Sequence, residues 1–199
     1  RDASEFCLMF LDKIKGLSPE LIKELFGITV SIEIKSLEGI MLSKVTEESN
    51  LLHFSTKDMT LENSISKYEE IDFCGKYQME GASVDATRQN IIEELPKHLI
   101  VMLDRFEYDY QKGTRVKISD AYSYPSEFKL KSKHYKLRGS IIHFGTAQSG
   151  HYISYVQDRN SMKWYKFNDK TVTALKMEDV LKEQTNQYLL FYDLAEDPI

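Results

Sequence analysis

A chain of 199 residues with 42% hydrophobic, 12% aromatic and 29% charged side chains is long enough to bury a sizeable core as one domain, or one domain with a subdomain. No apolar run reaches the length that spans a bilayer, so no membrane-embedded role is expected, and a formal charge of -5 argues against broad nucleic-acid binding, which needs clustered Lys and Arg against phosphates. The two cysteines, Cys7 and Cys74, cannot build a disulfide framework, and no signal or transit segment is visible, which points to a reducing cytoplasmic or nuclear setting.

At the start of the chain Phe6, Met9, Phe10 and Ile14 recur at helical spacing. No capping residue stands far enough upstream to begin that helix comfortably, so the pattern reads as a helix entered part-way. A second helix is framed by Ser18 as cap, Pro19 at the first helical position and Gly27 as a left-handed stop. Residues 1–27 are therefore expected to be helical. From Ile28 the period falls to two: ITVSIEI alternates and is rich in β-branched residues, and LLHFST is a weaker strand candidate. TLENSISKYEE interrupts as a short helix. TRQNIIEEL, HLIVMLDRFEYD, GTRVKIS, YKLRGSIIHFG, HYISYVQD, KWYKFND and YLLFYDL then read as successive strands, with MEDVLKEQ a short helix before the last. Gly113 and the stretch from Gly145 to Gly150 signal turns. Helices first and antiparallel sheet after make the class α+β, without repeats or a linker.

Five histidines and two cysteines invite a metal-site reading, yet none of them stand at C-x-x-C or H-x-x-x-H spacing, so no metal and no other cofactor is expected. Cys7 sits in an apolar helix, where a free cysteine is usually a small core residue, and nothing around Cys74 supplies the electropositive setting that activates a thiol. His151 is different. Gly150 before it allows close backbone approach, the loop GTAQSG can shape itself around a ligand, and alternation puts His151, Ile153 and Tyr155 on one face. Further on, WYKFND ends in Asn168 and Asp169, where a returning strand could set an amide or carboxylate beside the imidazole and fix its tautomer. On the residues alone, a structural or merely exposed histidine stays open beside the catalytic one.

The stretch SGHYISYV, followed by WYKFNDKTVT and NQYLLFYDL, resembles the histidine box of the ubiquitin-specific proteases, the papain-like cysteine deubiquitinases. RDASEF is similar to that family's Q-D-A-x-E-F segment, LPKHLIVMLDRFEYD to its L-P-x-x-L-x-x-x-L-x-R-F strand, and YPSEFKL to its F-P-x-x-L turn. The matches come in family order and span nearly the whole chain. The resemblance implies a papain-like fold in which residues 1–27 end a helical thumb, 28–95 form a fingers-like region and 96–199 form a palm with the histidine box. It also implies hydrolysis of the bond after the C-terminal glycine of ubiquitin, with ubiquitin or a ubiquitinated protein as partner. His151 then matches the general base, Asn168 the third catalytic position that orients it, and Asp169 an acidic neighbour that can assist or substitute. Asp2 and Glu5 match residues that hold ubiquitin's arginine-bearing tail by charge-assisted hydrogen bonds. Gly145 and Gly150 bound the loop beside the channel for the terminal Gly-Gly, with Tyr152 next to it.

Three departures accompany these matches. The family's nucleophile lies in a cysteine box upstream of Q-D-A-x-E-F, and neither Cys7 nor Cys74 fills that role, so an N-terminal segment or another chain is expected to supply it. The fingers carry no paired C-x-x-C ligands for zinc and are expected to hold by sheet pairing and packing. Asp104 stands where many members have Lys. Two functions follow as expectations: the larger part of a deubiquitinase domain, inactive by itself, or a non-catalytic ubiquitin-binding or scaffolding module. Asp2 and Glu5 as solvated charges at a helix start, Asp169 as a turn residue, and Trp164, Tyr165, Tyr188 and Tyr192 as core aromatics are the plain alternatives.

Overall fold

The computed structural model describes residues 2–79 and 81–195, so Arg1 of the RDASEF segment and the last residues of the 96–199 region lie outside the described residues. Two helices come first, α1 (Ala3–Lys15) and α2 (Pro19–Phe26). The helix α1 is not entered part-way. Asp2 is its N-cap, with extended backbone and a carboxylate that accepts from the amides of Ser4 and Glu5, so a cap one residue from the start of the chain suffices. Gly27 also departs from expectation: its backbone is extended at φ -69 and ψ 127 rather than left-handed. Glycine is required there by space, because a Cβ would sit 2.4 Å from the Lys23 carbonyl oxygen.

Among the described residues fourteen strands follow, in two main sheets and one ribbon. The smaller sheet joins β1 (Ile28–Ser36), β2 (Met41–Ser49), β4 (Asp72–Met79) and β5 (Ala82–Glu94) in the order β2-β1-β5-β4, all antiparallel. Antiparallel hydrogen-bond ladders join its strands, and among the described residues no three His, Cys, Asp or Glu cluster as metal ligands. Glu33 in β1 is buried and carries Lys35 at 2.7 Å and Lys44 at 3.0 Å.

The larger sheet contains β3 (Leu52–Ser55), β6 (His98–Asp104), β9 (Glu127–Leu130), β10 (Lys133–Gly145), β11 (Gly150–Gln157), β12 (Trp164–Asn168), β13 (Thr171–Leu175) and β14 (Gln187–Leu194). Its order is β13-β12-β11-β10-β14-β6-β3, with β9 also paired to β10, and only β3 on β6 runs parallel. The short strand β3 and the helix α3 (Leu61–Tyr68) thus pack with this sheet although they fall between β2 and β4 in sequence. Both faces of the sheet are covered near its centre. Along β6, Leu99, Val101 and Leu103 enter one core with α3, Tyr122, Tyr124 and α4 (Met177–Lys182), while Ile100 and Met102 turn to the other core under α1 and α2. A strand buried on both sides reads as an unbroken apolar run, which is why HLIVML lacks alternation.

The expected strand HLIVMLDRFEYD is broken at Arg105. Beyond the break β7 (Phe106–Asp109) pairs with β8 (Thr114–Lys117) as a separate ribbon. Arg105 is fully buried and fans its guanidinium onto the carbonyls of Gln187 at 2.7 Å, Ile118 at 3.2 Å, Asp120 at 2.8 Å and Gln184 at 2.8 Å. Burial holds its pKa down to about 10.

Candidate active site

His151 stands at the mouth of the hairpin between β10 and β11, directly across from Phe144. The pairing of β11 with β12 runs from Gln157 and Trp164 to Ser154 and Phe167 and stops short of His151. There the end of β12 brings Asn168 to the imidazole, with Asn168 Oδ1 2.6 Å from His151 Nε2. An amide oxygen only accepts, so the hydrogen bond is donated by Nε2–H, which in the neutral ring leaves the lone pair on Nδ1. Nδ1 makes no hydrogen bond among the described residues, and the side chain is 48% exposed. The ring is thus oriented on one side and free to take a proton on the other.

Asp169 is less engaged. Its φ of 50° places it in the left-handed region at the turn between β12 and β13, its side chain is 78% exposed, and Oδ2 lies 3.9 Å from the same Nε2. That distance is beyond hydrogen bonding, so the carboxylate acts on the ring only as a nearby, screened charge.

Beside this pair runs a cleft of about 490 Å³, lined by Asp2 at the N-cap of α1, Glu5 from α1, Arg115 from β8, His143 from β10, and Tyr152 with the loop between Gly145 and Gly150. Four of the residues proposed for tail binding from sequence, Asp2, Glu5, Gly150 and Tyr152, therefore share one cavity. Gly145 closes the loop behind it: φ is 110°, and a Cβ would meet Ser149 O at 2.5 Å. A Cβ on Gly150 would stand 2.1 Å from His143 Nε2 and 2.5 Å from Phe144 O. The loop is tied down by Thr146, whose hydroxyl accepts from the amides of Gln148 and Ser149, and by Gln148, which donates to Arg115 O at 2.6 Å on the β7–β8 ribbon.

Asp2 serves two structures at once. Oδ1 caps α1, taking Ser4 N at 2.8 Å and Ser4 Oγ at 2.6 Å, and both oxygens face the Tyr188 hydroxyl at 2.8 and 2.9 Å. Partial burial works to raise its pKa, but hydrogen bonds from Ser4 and Tyr188 outweigh it and hold the carboxyl below its ordinary value. It is an anion at neutral pH. Glu5 is exposed, one turn into the helix. Tyr152 is half-buried, with its hydroxyl 3.5 Å from the Ala3 amide and its ring edge-on to His143 at 4.8 Å.

The sequence reading passed over His143 and the hydroxyl of Tyr188. His143 is buried, Nδ1 has no hydrogen-bond partner among the described residues, and Lys117 Nζ donates to its backbone carbonyl. Burial first, then the charge of Lys117, push its pKa down and keep the ring neutral. One signal was available, since a histidine stands at each end of the same glycine-bounded loop. The thiols lie apart from this chemistry. Cys7 packs against the core under α1, where burial raises its pKa, and Cys74 is on the smaller sheet, its thiol donating to Ala86 O at 3.3 Å.

Residues 1–192 match the protein family described as ubiquitin carboxyl-terminal hydrolase. Ubiquitin carboxyl-terminal hydrolase 15 of Schizosaccharomyces pombe is 29% identical over 203 residues, covering 92% of this chain and 18% of the relative. Ubiquitin carboxyl-terminal hydrolase 8 of Saccharomyces cerevisiae is 33% identical over 156 residues, covering 67% of this chain and 32% of the relative. Among solved structures, the SAGA Ubp8/Sgf11/Sus1/Sgf73 DUB module bound to ubiquitin aldehyde superposes with a TM-score of 0.85 at 25% identity, over 100% of this chain and 50% of that one. The SAGA DUB module bound to monoubiquitin gives 0.87 at 26% identity, over 100% and 49%. The chain thus spans a third or less of these curated relatives and about half of the structural neighbours. No helix of the described residues is long and apolar enough to cross a membrane. With a profile that runs through almost every element just described, and a mixed α+β architecture shared with Ubp8, the chain belongs to the ubiquitin carboxyl-terminal hydrolases of the ubiquitin-specific protease type.

Proposed function

We propose that this chain forms the base-bearing part of a thiol-dependent deubiquitinase that hydrolyses the bond after the C-terminal glycine of ubiquitin. The observation that carries the reading is the 2.6 Å contact between Asn168 Oδ1 and His151 Nε2; Gly150 and Tyr152, on either side of His151 in the chain, line a cleft that also holds two carboxylates and the loop after Gly145. In this mechanism His151 Nδ1 takes the proton of a cysteine thiol, giving a thiolate and an imidazolium that Asn168 keeps oriented. The thiolate attacks the carbonyl of the terminal glycine, the imidazolium returns its proton to the leaving amine, and water then releases the acyl group. Asp2 and Glu5 hold the cationic side chains of the tail, and the Gly145–Gly150 loop leaves room for residues without side chains.

The nucleophile comes from outside residues 1–199. A thiol whose pKa is raised by burial is a poor nucleophile, which counts against Cys7, and Cys74 sits on the other sheet. Partners are ubiquitin, a ubiquitinated protein and the polypeptide that carries the cysteine box; a nuclear or cytoplasmic site of action fits the kinship with a SAGA module.

Ubiquitin bearing a fluorogenic amide at its C-terminus tests this. The chain alone is expected to give no turnover. Joined to a cysteine box from the family, it is expected to turn over the amide in a manner lost on His151→Ala. Turnover by the chain alone that disappears on Cys7→Ser or Cys74→Ser would overturn the assignment of the nucleophile. Ubiquitin binding without turnover in the joined protein would favour the non-catalytic module.

A further inference from the structure

Tyr188 is 2% exposed. Its ring stands edge-on to Phe106 at 5.3 Å and tilted against Tyr152 at 6.2 Å, so the aromatic body belongs to the core beneath α1. Its oxygen leaves that core and meets Asp2 Oδ1 at 2.8 Å, Asp2 Oδ2 at 2.9 Å and Ser4 Oγ at 2.9 Å. The two carboxylate oxygens are not equivalent. Oδ1 is occupied by the helix start, with Ser4 N at 2.8 Å, Ser4 Oγ at 2.6 Å and Glu5 N at 3.4 Å. Among the described residues Oδ2 meets only the Tyr188 hydroxyl, and Asp2 lines the cleft.

A cap needs one carboxylate oxygen, which leaves the torsion about the carboxyl group free to swing the second oxygen in or out of the cleft. A single phenolic proton shared between both oxygens removes that freedom. It does so across the joint between helix and sheet, because Tyr188 belongs to β14 and Asp2 to the start of α1. We propose that Tyr188 is a positioning residue: it fixes the plane of the Asp2 carboxylate so that Oδ2 is presented to a guanidinium in an extended ligand tail. The role rests on the reading of Asp2 as a tail anchor given above. The hydroxyl touches no reacting atom and acts only through Asp2. Presentation of a fixed oxygen favours Arg, whose planar fork rewards a matching carboxylate plane, over Lys.

The test titrates the full chain with ubiquitin and with a ubiquitin whose tail arginines are replaced by leucine, using Tyr188→Phe and Asp2→Ala. Tyr188→Phe keeps the ring and is expected to weaken binding of ubiquitin about tenfold while changing binding of the arginine-free form less than about twofold. The double variant is expected to bind no more weakly than Asp2→Ala, since the hydroxyl works through that carboxylate. In parallel, NMR titration of the Asp2 carboxyl in Tyr188→Phe is expected to show its pKa moving up toward the ordinary value. Equal loss on both ubiquitins, or an unmoved Asp2 titration, would overturn the positioning role. Weakening by Asp2→Ala without any by Tyr188→Phe would sink the role of Tyr188 and leave the anchor intact; no effect of Asp2→Ala would remove the anchor and the role together.

Discussion

Asn168 Oδ1 lies 2.6 Å from His151 Nε2, beyond the point where the pairing of β11 with β12 has stopped, and among the described residues it is the ring's hydrogen-bond partner. The amide can only accept at its oxygen, so it selects the tautomer with the proton on Nε2.

The first prediction follows from that selection. Nitrogen chemical shifts of the His151 ring are expected to report the Nε2–H tautomer in the wild-type chain and a mixture in Asn168→Ala. In a protein carrying the cysteine box, the same substitution is expected to lower kcat/KM by roughly 10- to 100-fold, the worth of an orienting hydrogen bond of about 1.5–3 kcal/mol. Asn168→Asp retains an acceptor and is expected to keep most activity. A pure Nε2–H tautomer in Asn168→Ala would show that another group orients the ring.

Arg105 supports the second prediction. Four backbone carbonyls converge on a side chain that is fully buried, and a buried acceptor left without a partner costs about 1–3 kcal/mol. Arg105→Ala is expected to destabilise the chain by at least ~4 kcal/mol, since water can replace only part of the fork. Arg105→Lys, a point donor in place of a planar one, is expected to recover less than half of that. Midpoints of urea unfolding decide it, and a loss below about 1 kcal/mol for Ala would show that the carbonyls find other donors.

What the sequence could reveal of this fold depended on where each signal was stored. Alternation in ITVSIEI and in HYISYVQD is local, and both form strands. The strand β2 was not legible because it is mostly exposed and polar, MLSKVTEES; β9 and β13 are too short for a period to show. The break at Arg105 was hidden because the apolar run continues past it, and what stops the strand is a set of carbonyls from distant segments. The histidine box singled out His151 and Asn168 as a pair, and the fold brings the two side chains to 2.6 Å. The RDASEF segment offered Asp2 as a candidate tail ligand but not as a helix cap, and Tyr188 was legible as core but not as the hydroxyl on Asp2. Those two facts exist only once α1 is laid on β14.

The third prediction concerns alkaline pH. Tyr122, Tyr124, Tyr135, Tyr188 and Tyr192 are each 3% exposed or less, and burial raises the pKa of every one above its ordinary value of 10. The unfolded chain releases these protons from pH 10 upward while the folded chain keeps them, so the stability they contribute is complete below pH 10 and is lost as pH rises. Arg105, lowered to about 10 by burial, opposes this with one proton, because its folded form discharges first. The net is expected to be a fall of several kcal/mol per pH unit above pH 10, at about 1.4 kcal/mol per group. Denaturant unfolding at stepped pH, with tyrosinate absorbance followed in parallel, measures it. Tyrosinate signal from all of these rings without loss of fold would contradict the burial argument.

The fourth prediction uses the closest approach in the cleft. A Cβ on Gly150 would stand 2.1 Å from His143 Nε2 and 2.5 Å from Phe144 O, and neither neighbour can yield without moving the loop: His143 is held edge-on by Phe106 at 5.1 Å and Tyr152 at 4.8 Å, and Phe144 is paired across to His151. Gly150→Ala is therefore expected to cost about 1–3 kcal/mol of stability, as overpacking does, and to weaken ubiquitin binding by more than Ala at the exposed loop position Gln148 does. Removing the ring clash with His143→Ala relieves only part of the strain, since the Phe144 carbonyl remains. The double variant is thus expected to fall between Gly150→Ala and the wild type in unfolding midpoint, after correction for His143→Ala alone. Additive losses would show that the alanine methyl and the imidazole never compete for the same space.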